Sequence, residues 1–228
     1  MQPPTHDYTK FLRELNDLMR RKPVDATSIK ITKKKNIYNY GDRADNIYFV
    51  ESGQIKLVVF SPTGKECLLD IHGSGSIFGE LCISGISTRM ETATAIKDTA
   101  LKQILCRRFL MLLSNHFLIE DFMKYLTARI LEQQQIISNL VLLDKEHVLA
   151  ETLLRLGRKL GKGIDYKLIE SRITHEELSA MVGTTRPRIT DFMIKFRRLG
   201  LINKSPDNFL IIKEKKLVDY LTHLDALS

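Results

Sequence analysis

Residues 174–200 read THEELSAMVGTTRPRITDFMIKFRRLG, a pattern typical of a helix-turn-helix. Thr174 and Glu177 have the spacing of a capping box, which predicts the start of a short helix. Gly183 tolerates the positive φ that commonly ends a helix. Thr185 then stands in position to cap a second helix. Two helices joined by a tight turn are therefore expected in the C-terminal part of the chain.

The second helix begins with the sequence Arg-Pro-Arg at residues 186–188. Proline is tolerated there because the N–H groups of a first turn have no helical partner. Apolar residues recur at helical spacing and predict its buried face: Ile189, Phe192, Met193 and Phe196. A helix that starts with arginine and threonine side chains suits the major groove of DNA, whereas two packed helices with a solvated basic face are the alternative. The residues expected to contact DNA are Thr184, Thr185, Arg186, Arg188, Thr190 and Lys195.

Short strands are expected on both sides of this motif. Residues 201–203 and 209–212 flank a Pro-Asp-Asn turn, which predicts a hairpin of the kind called a wing. A strand over residues 167–173 is expected before the motif. A helix containing Val148, Leu149 and Leu153 is predicted directly after Asp144.

Residues 30–106 are predicted to be rich in β-strands, because glycine-bearing turns recur between short apolar or alternating runs. Several short strands at such spacing indicate a sandwich or a barrel. The runs are Ile47–Val50, Ile55–Phe60, Cys67–Ile71, Thr92–Ile96 and Leu101–Leu105. A helix over residues 9–21, ended by Pro23, is expected to precede them.

One long helix is predicted over residues 115–143. Its seam steps by four and three residues in alternation, as in a coiled coil, and predicts a parallel homodimer. The seam residues are Ile119, Met123, Leu126, Ile130, Gln133, Ile137, Leu140 and Asp144, with Gln133 as the polar break inside the seam. A long helix that packs on its own β domain is the alternative.

Composition limits the classes of function. The 228 residues carry 35 Lys and Arg against 27 Asp and Glu, a net charge of +8, and the part from Lys145 onward has 16 basic and 11 acidic residues. A basic C-terminal part suits a surface that binds phosphate. There is no apolar run of the ~20 residues needed to span a bilayer, and the N-terminus is polar, so we expect a cytoplasmic protein without a membrane partner.

The cysteines and the motif inventory argue against metal centres and catalysis. Cys67, Cys82 and Cys106 are widely spaced, and no CxxC pair or Cys/His cluster indicates zinc or an iron–sulfur centre. Buried structural thiols are the economical interpretation. The sequence contains no P-loop, HExxH or GxSxG motif, so we do not expect an enzyme.

Over residues 25–215, the order of β-rich domain, long helix and winged helix-turn-helix resembles the CRP/FNR family of bacterial transcription regulators. Two motifs carry the resemblance: Phe78-Gly79-Glu80-Leu81 is similar to the family's phosphate-binding cassette, and residues 139–144 are similar to the end of its dimer helix. The resemblance implies an α+β fold with an N-terminal jelly-roll (β-roll) of the cyclic-nucleotide-binding type over residues 1–114, a dimerisation helix over 115–144 and a winged helix-turn-helix domain over 145–228. It also implies a homodimer that binds DNA and has RNA polymerase as a partner.

The resemblance further implies an effector site in the β-roll. Backbone N–H groups after Gly79 would bind a phosphate, the Glu80 carboxylate a ribose hydroxyl, and an arginine would neutralise the phosphate. An alignment of the following strand places Glu91 at the expected arginine position, two residues after Arg89. The expected effector-binding residues are Gly79, Glu80, Leu81, Arg89, Thr92, Gln133 and Gln134.

Two interpretations of the cassette stay open: a cyclic-nucleotide site, and a motif kept for structure with Leu81 in the core. Neither an iron–sulfur cluster nor haem is expected. The alternative function is a cyclic-nucleotide-responsive module that acts on a protein partner instead of DNA.

In members that bind cyclic AMP, two arginines and a glutamate of the second helix contact bases, and Arg186, Pro187 and Asp191 align with these three positions. Only Arg186 has the same residue type as those members, which implies an operator different from theirs.

Overall fold

The computed structural model describes residues 9–21, 25–62, 64, 66–163, 166–169 and 173–226. The chain forms two compact units, residues 1–134 and 135–228. The first is mainly a β-roll and the second mainly helical, so the predicted α+β class is confirmed. Within the described ranges, none of the helices has the length and apolar character needed to cross a membrane.

The first unit begins with α1 (Thr9–Arg21), as expected from the sequence; Pro23 lies outside the described residues. Two antiparallel four-stranded sheets follow, with the strand orders β1-β8-β3-β6 and β2-β7-β4-β5. All five predicted strands are present, and β1, β2 and β6 are additional. The strands are β1 (Thr27–Ile31), β2 (Asn36–Tyr38), β3 (Asn46–Ser52), β4 (Gln54–Phe60), β5 (Glu66–Gly73), β6 (Ile77–Phe78), β7 (Thr92–Ala95) and β8 (Thr99–Leu105), with the 3-10 helix η1 (Glu80–Ser84) between β6 and β7.

The alternation of side chains along β3 explains the core of this unit. Ile47 and Phe49 pack with α1 and the helices that follow β8, whereas Tyr48 and Val50 point into the interior of the roll. Successive side chains of a strand point to opposite faces, so one central strand serves two hydrophobic clusters.

The long helix differs from its prediction at both ends. The segment before it forms a separate helix, α2 (Cys106–Asn115), and α3 spans Ile119–Leu142. A turn separates them, in which the exposed Phe117 has a φ of +57°. Asp144, the last predicted seam position, instead caps α4, because its carboxylate accepts hydrogen bonds from the N–H groups of Glu146 (2.8 Å) and His147 (3.0 Å).

The remaining elements are α4 (Lys145–Leu160), β9 (Lys167–Ile169), α5 (His175–Val182), α6 (Arg186–Arg198), β10 (Ile202–Lys204), β11 (Leu210–Ile212) and α7 (Glu214–Asp225). The strands pair antiparallel in the order β10-β11-β9, so the predicted wing hairpin is confirmed. The strand predicted over residues 167–173 is present as β9, and residues 170–172 lie outside the described residues. No sequence signal predicted α7, which packs on α4.

Candidate nucleic-acid interface and effector site

The turn between α5 and α6 is built by local hydrogen bonds. The Glu177 N–H donates to Thr174 Oγ1 (3.1 Å) and the Thr174 N–H donates to Glu177 Oε2 (2.8 Å), which is the predicted capping box. At the other end of α5, Gly183 has a φ of +67°, and the Thr184 N–H donates to the carbonyl oxygen of Ser179 (3.1 Å). These bonds fix where α6 begins.

The start of α6 differs from the prediction in one respect. Thr185 has the extended backbone of an N-cap residue, but its side chain accepts no hydrogen bond from the helix. Ile189, Met193 and Phe196 are buried as expected. Phe192 is only half-buried, and the guanidinium of Arg188 lies 5.8 Å from the centre of its ring.

Positive charge gathers where α6 begins. Arg186 and Arg188 are exposed, as is Thr185, and Thr184 is half-buried. His175, at the start of α5, is affected by this positive charge. Burial first, and then the charges of Lys204, Arg186 and Arg197, lower the pKa of His175 below its ordinary value of 6.5. A cationic surface formed by α6 and the wing strand β10 suits the phosphates of DNA.

Thr190 and Lys195, two of the predicted DNA contacts, have partners inside the domain. The Thr190 hydroxyl lies 2.9 Å from His175 Nδ1 and donates to the Arg186 carbonyl oxygen at 3.1 Å. Lys195 Nζ lies 2.7 Å from a carboxylate oxygen of Glu146 in α4. The same carboxylate accepts a hydrogen bond from the hydroxyl of Tyr220 in α7. Both predicted contacts therefore hold helices together, which the sequence could not show because their partners are distant in the chain.

In the β-roll, Gly79 is the N-cap residue of η1 and has a φ of +81°. A Cβ atom there would lie 2.8 Å from Arg89 Nη1, so the position requires glycine for both space and conformation. Arg89 itself is buried. Its side chain donates one hydrogen bond from Nη1 to the Gly79 carbonyl oxygen at 3.0 Å and another from Nη2 to the Asn46 carbonyl oxygen at 2.5 Å. Its guanidinium also lies 4.2 Å from the centre of the Tyr38 ring.

The positive charge at the cassette comes from Arg89, and not from the position expected for an arginine, which Glu91 occupies. Glu91 is buried and accepts a hydrogen bond from the Tyr38 hydroxyl at 2.7 Å. Burial, and then this carboxylate, raise the pKa of Tyr38. Thr92, another predicted effector residue, is buried and accepts a hydrogen bond from the Tyr40 N–H at 3.0 Å.

The cassette carboxylate faces a cation that the sequence analysis missed. Arg129 Nε lies 3.9 Å from Glu80 Oε1, and Arg129 Nη2 lies 3.4 Å from Asp70 Oδ2. Burial of the guanidinium lowers the pKa of Arg129, but the interactions with Tyr125, Glu80 and Asp70 are together stronger than this effect of burial. The pKa of Arg129 is therefore raised. A signal was present in the sequence, since a lone arginine between Tyr125 and Ile130 interrupts the apolar pattern of the helix.

The other predicted effector residues lie at the surface. Leu81 is 49% exposed, so the expectation that it belongs to the core is wrong. Gln133 and Gln134 are exposed on α3. The structure therefore brings Gly79 and Arg89 into contact and places Glu80 beside Arg129.

Residues 28–116 match the cyclic nucleotide-binding domain family, and residues 149–220 match the Crp-like helix-turn-helix domain family. The "Cyclic AMP receptor protein" of Thermus thermophilus is 28% identical over 173 residues, which cover 75% of this chain and 77% of the relative. The "CRP-like cAMP-activated global transcriptional regulator" of Mycobacterium tuberculosis is 25% identical over 185 residues, 79% of this chain and 82% of the relative. Among solved structures, FixK2 from Bradyrhizobium japonicum has the same fold, with a TM-score of 0.74 at 15% identity over 86% of this chain and 97% of its own.

Proposed function

Because the chain belongs to the CRP/FNR family of bacterial transcription regulators, and thus regulates transcription through DNA, we propose how it does so. It binds a near-palindromic operator as a homodimer, a small effector in the β-roll controls this binding, and RNA polymerase is its partner at the promoter. The observation that carries the proposal is the exposed Arg186 and Arg188 at the start of α6. The capped helix α5, the turn at Gly183 and the buried face of α6 hold this start in place.

Four residues form the proposed DNA surface: Thr184, Thr185, Arg186 and Arg188. Arg186 reads a guanine through two parallel hydrogen bonds, a contact worth about 1–3 kcal/mol of discrimination. Arg188 contacts phosphate or an adjacent base. Pro187 has no side-chain acceptor for cytosine, so the operator differs from the one bound by members with glutamate at this position.

The exposed seam of α3 supports the homodimer. Met123, Ile130 and Ile137 are 62%, 56% and 62% exposed, whereas Phe122 and Tyr125 on the other face pack into the first unit. A single chain thus buries one face of the helix and leaves an apolar stripe exposed on the other face, where a symmetry mate can pack. The two recognition helices of such a dimer would meet successive major grooves, about 34–36 Å apart.

The buried Arg89 supports an anionic effector. Its guanidinium is already at the cassette, and its Nε atom has no hydrogen-bond partner within the described part of the chain. A cyclic nucleotide fits this arrangement in charge, with Arg89 for the phosphate and Glu80 for a ribose hydroxyl once Glu80 leaves Arg129. Two of the relatives above are named for cyclic AMP. Calorimetry with cyclic AMP, cyclic GMP and 2-oxoglutarate tests this part, and heat from none of the three would contradict it.

Selection of DNA sites from a random pool tests the operator. We expect a near-palindrome, and at least a tenfold loss of affinity in Arg186→Ala, since 1.4 kcal/mol corresponds to a factor of ten. Arg198→Ala is the matched control, because it removes an exposed arginine from the opposite end of α6. Equal binding by Arg186→Ala and wild type would refute the assignment. Failure to select any DNA would favour a module that acts on a protein partner.

A further inference from the structure

Two cysteines of the first unit lie side by side next to the cassette. Cys82 belongs to η1, which starts with Glu80, and Cys106 is the first residue of α2. Both pack in the hydrophobic cluster between the helices and the β-roll. Burial first, and then the neighbouring Cys106, raise the pKa of the Cys82 thiol. Cys82 is therefore a protonated thiol at neutral pH.

The two thiols differ in access to solvent. Cys82 is buried and Cys106 is half-buried. A surface depression of about 530 Å³ reaches both, and Arg43, Ser87 and Arg107 also line it. Cys106 is therefore the more accessible of the two residues to a small oxidant in this depression. Cys67, in contrast, is exposed on β5, so the expectation that all three thiols are buried is wrong.

We propose that Cys82 and Cys106 are a peroxide-reactive dithiol that closes into an intramolecular disulfide. The Cys106 thiolate attacks hydrogen peroxide: an S–O bond forms, the O–O bond breaks, the sulfur is oxidised by two electrons, and hydroxide leaves with the proton that Cys106 released, as water. The Cys82 sulfur then attacks the sulfenic sulfur of Cys106. The S–O bond breaks, and the departing hydroxyl takes the proton of Cys82 as a second water.

The consequence is a covalent link between the cassette and the helices. The disulfide would join η1, which carries Glu80, to α2, which precedes α3. This inference does not depend on the proposed effector or operator.

The test uses the full chain. The reduced protein is treated with hydrogen peroxide, alkylated with N-ethylmaleimide, digested without reductant and analysed by mass spectrometry. We expect one peptide pair joined through Cys82 and Cys106, which dithiothreitol separates. The Cys67→Ser variant is the control and should form the link to the same extent. Cys82→Ala should leave a sulfenic acid on Cys106 that dimedone captures, and Cys106→Ala should leave Cys82 reduced.

Three results would overturn the proposal: oxidation confined to Cys67, a disulfide between two chains, or dimedone capture on Cys82. Thermal unfolding by circular dichroism shows whether the alanine variants are folded. If either variant fails to fold, peptide mapping of the wild type and of Cys67→Ser still decides, because both retain the Cys82–Cys106 pair.

Discussion

The Arg89 guanidinium donates a hydrogen bond from Nη1 to the carbonyl oxygen of Gly79, 3.0 Å away. A second donation, from Nη2 to the carbonyl oxygen of Asn46, joins the cassette to β3. The backbone around Arg89 is tied in turn to the loop before β3, because the Arg89 N–H donates to the Asp42 carbonyl and the Gly41 N–H donates to the Arg89 carbonyl. Arg89 thus serves as structural support for the cassette while it carries the charge that an anion would need.

We expect Arg89→Leu to lower the free energy of unfolding by about 2–3 kcal/mol, since the buried carbonyl group of Gly79 and the part-buried carbonyl group of Asn46 would lose charged donors. Urea unfolding followed by circular dichroism measures this. Arg43→Leu is the control, because the Arg43 side chain is 86% exposed and its ion pair with Asp45 lies at the surface. Equal stability of Arg89→Leu and wild type would show that these hydrogen bonds do not support the fold.

Ile130→Asp should weaken the homodimer, because it would bury an unpaired charge against its symmetry mate. Sedimentation velocity at micromolar concentration should show monomer in this variant and dimer in the wild type. Gln134→Asp adds the same charge off the seam and should remain dimeric. A wild-type protein that is monomeric, both free and with DNA, would remove the basis of this prediction.

Gln133→Leu separates two roles of the polar break in the seam. If the glutamine only fixes register, the variant should form a more stable dimer and keep its effector response, because buried polar pairs specify register at a cost in stability. If its amide senses the effector, DNA affinity should become insensitive to the effector. We expect the first result. Dilution experiments and DNA titrations decide, and a variant unchanged in dimer stability, DNA affinity and response would exclude both roles.

The environment of His175 predicts a pH dependence of stability. Burial, and then Lys204, Arg186 and Arg197, lower the folded-state pKa of His175 below 6.5. As pH falls, the unfolded chain therefore takes up this proton first, so the contribution of neutral His175 is fully present above pH 6.5 and is lost as the pH falls below it. Urea unfolding on either side of pH 6.5 should show a steeper loss of stability in wild type than in His175→Asn. Identical slopes would contradict the prediction.

Local signals predicted the elements whose ends are marked by their own residues. The capping box of Thr174 and Glu177, the positive φ of Gly183 and the short apolar runs of β3 and β4 all act within a few residues, and the structure contains the elements they predict. Elements without such marks were missed. Neither α2 nor α7 has a side-chain N-cap hydrogen bond, since Leu105 and Lys213 occupy those positions.

The candidate sites were predicted less well, because side-chain partners depend on tertiary contacts. The sequence showed Arg89 two residues before Glu91, but could not show that Arg89 would reach Gly79 and that Glu91 would reach Tyr38, 53 residues away. Arg129 approaches Glu80 from a helix that lies far along the chain. Spacing within one element carries no information about such pairs.

The Glu146 carboxylate, which joins Lys195 of α6 to Tyr220 of α7, affects how mutations in this domain should be interpreted genetically. A screen for lost repression or activation would collect Lys195 and Tyr220 substitutions together with those of Arg186, although the first two act by misplacing α6. Suppressor analysis separates the classes. Exchange of the charges in the double variant Lys195→Glu/Glu146→Lys should restore the ion pair between α4 and α6, whereas we expect a defect at Arg186 to be suppressed by a change of base in the proposed operator.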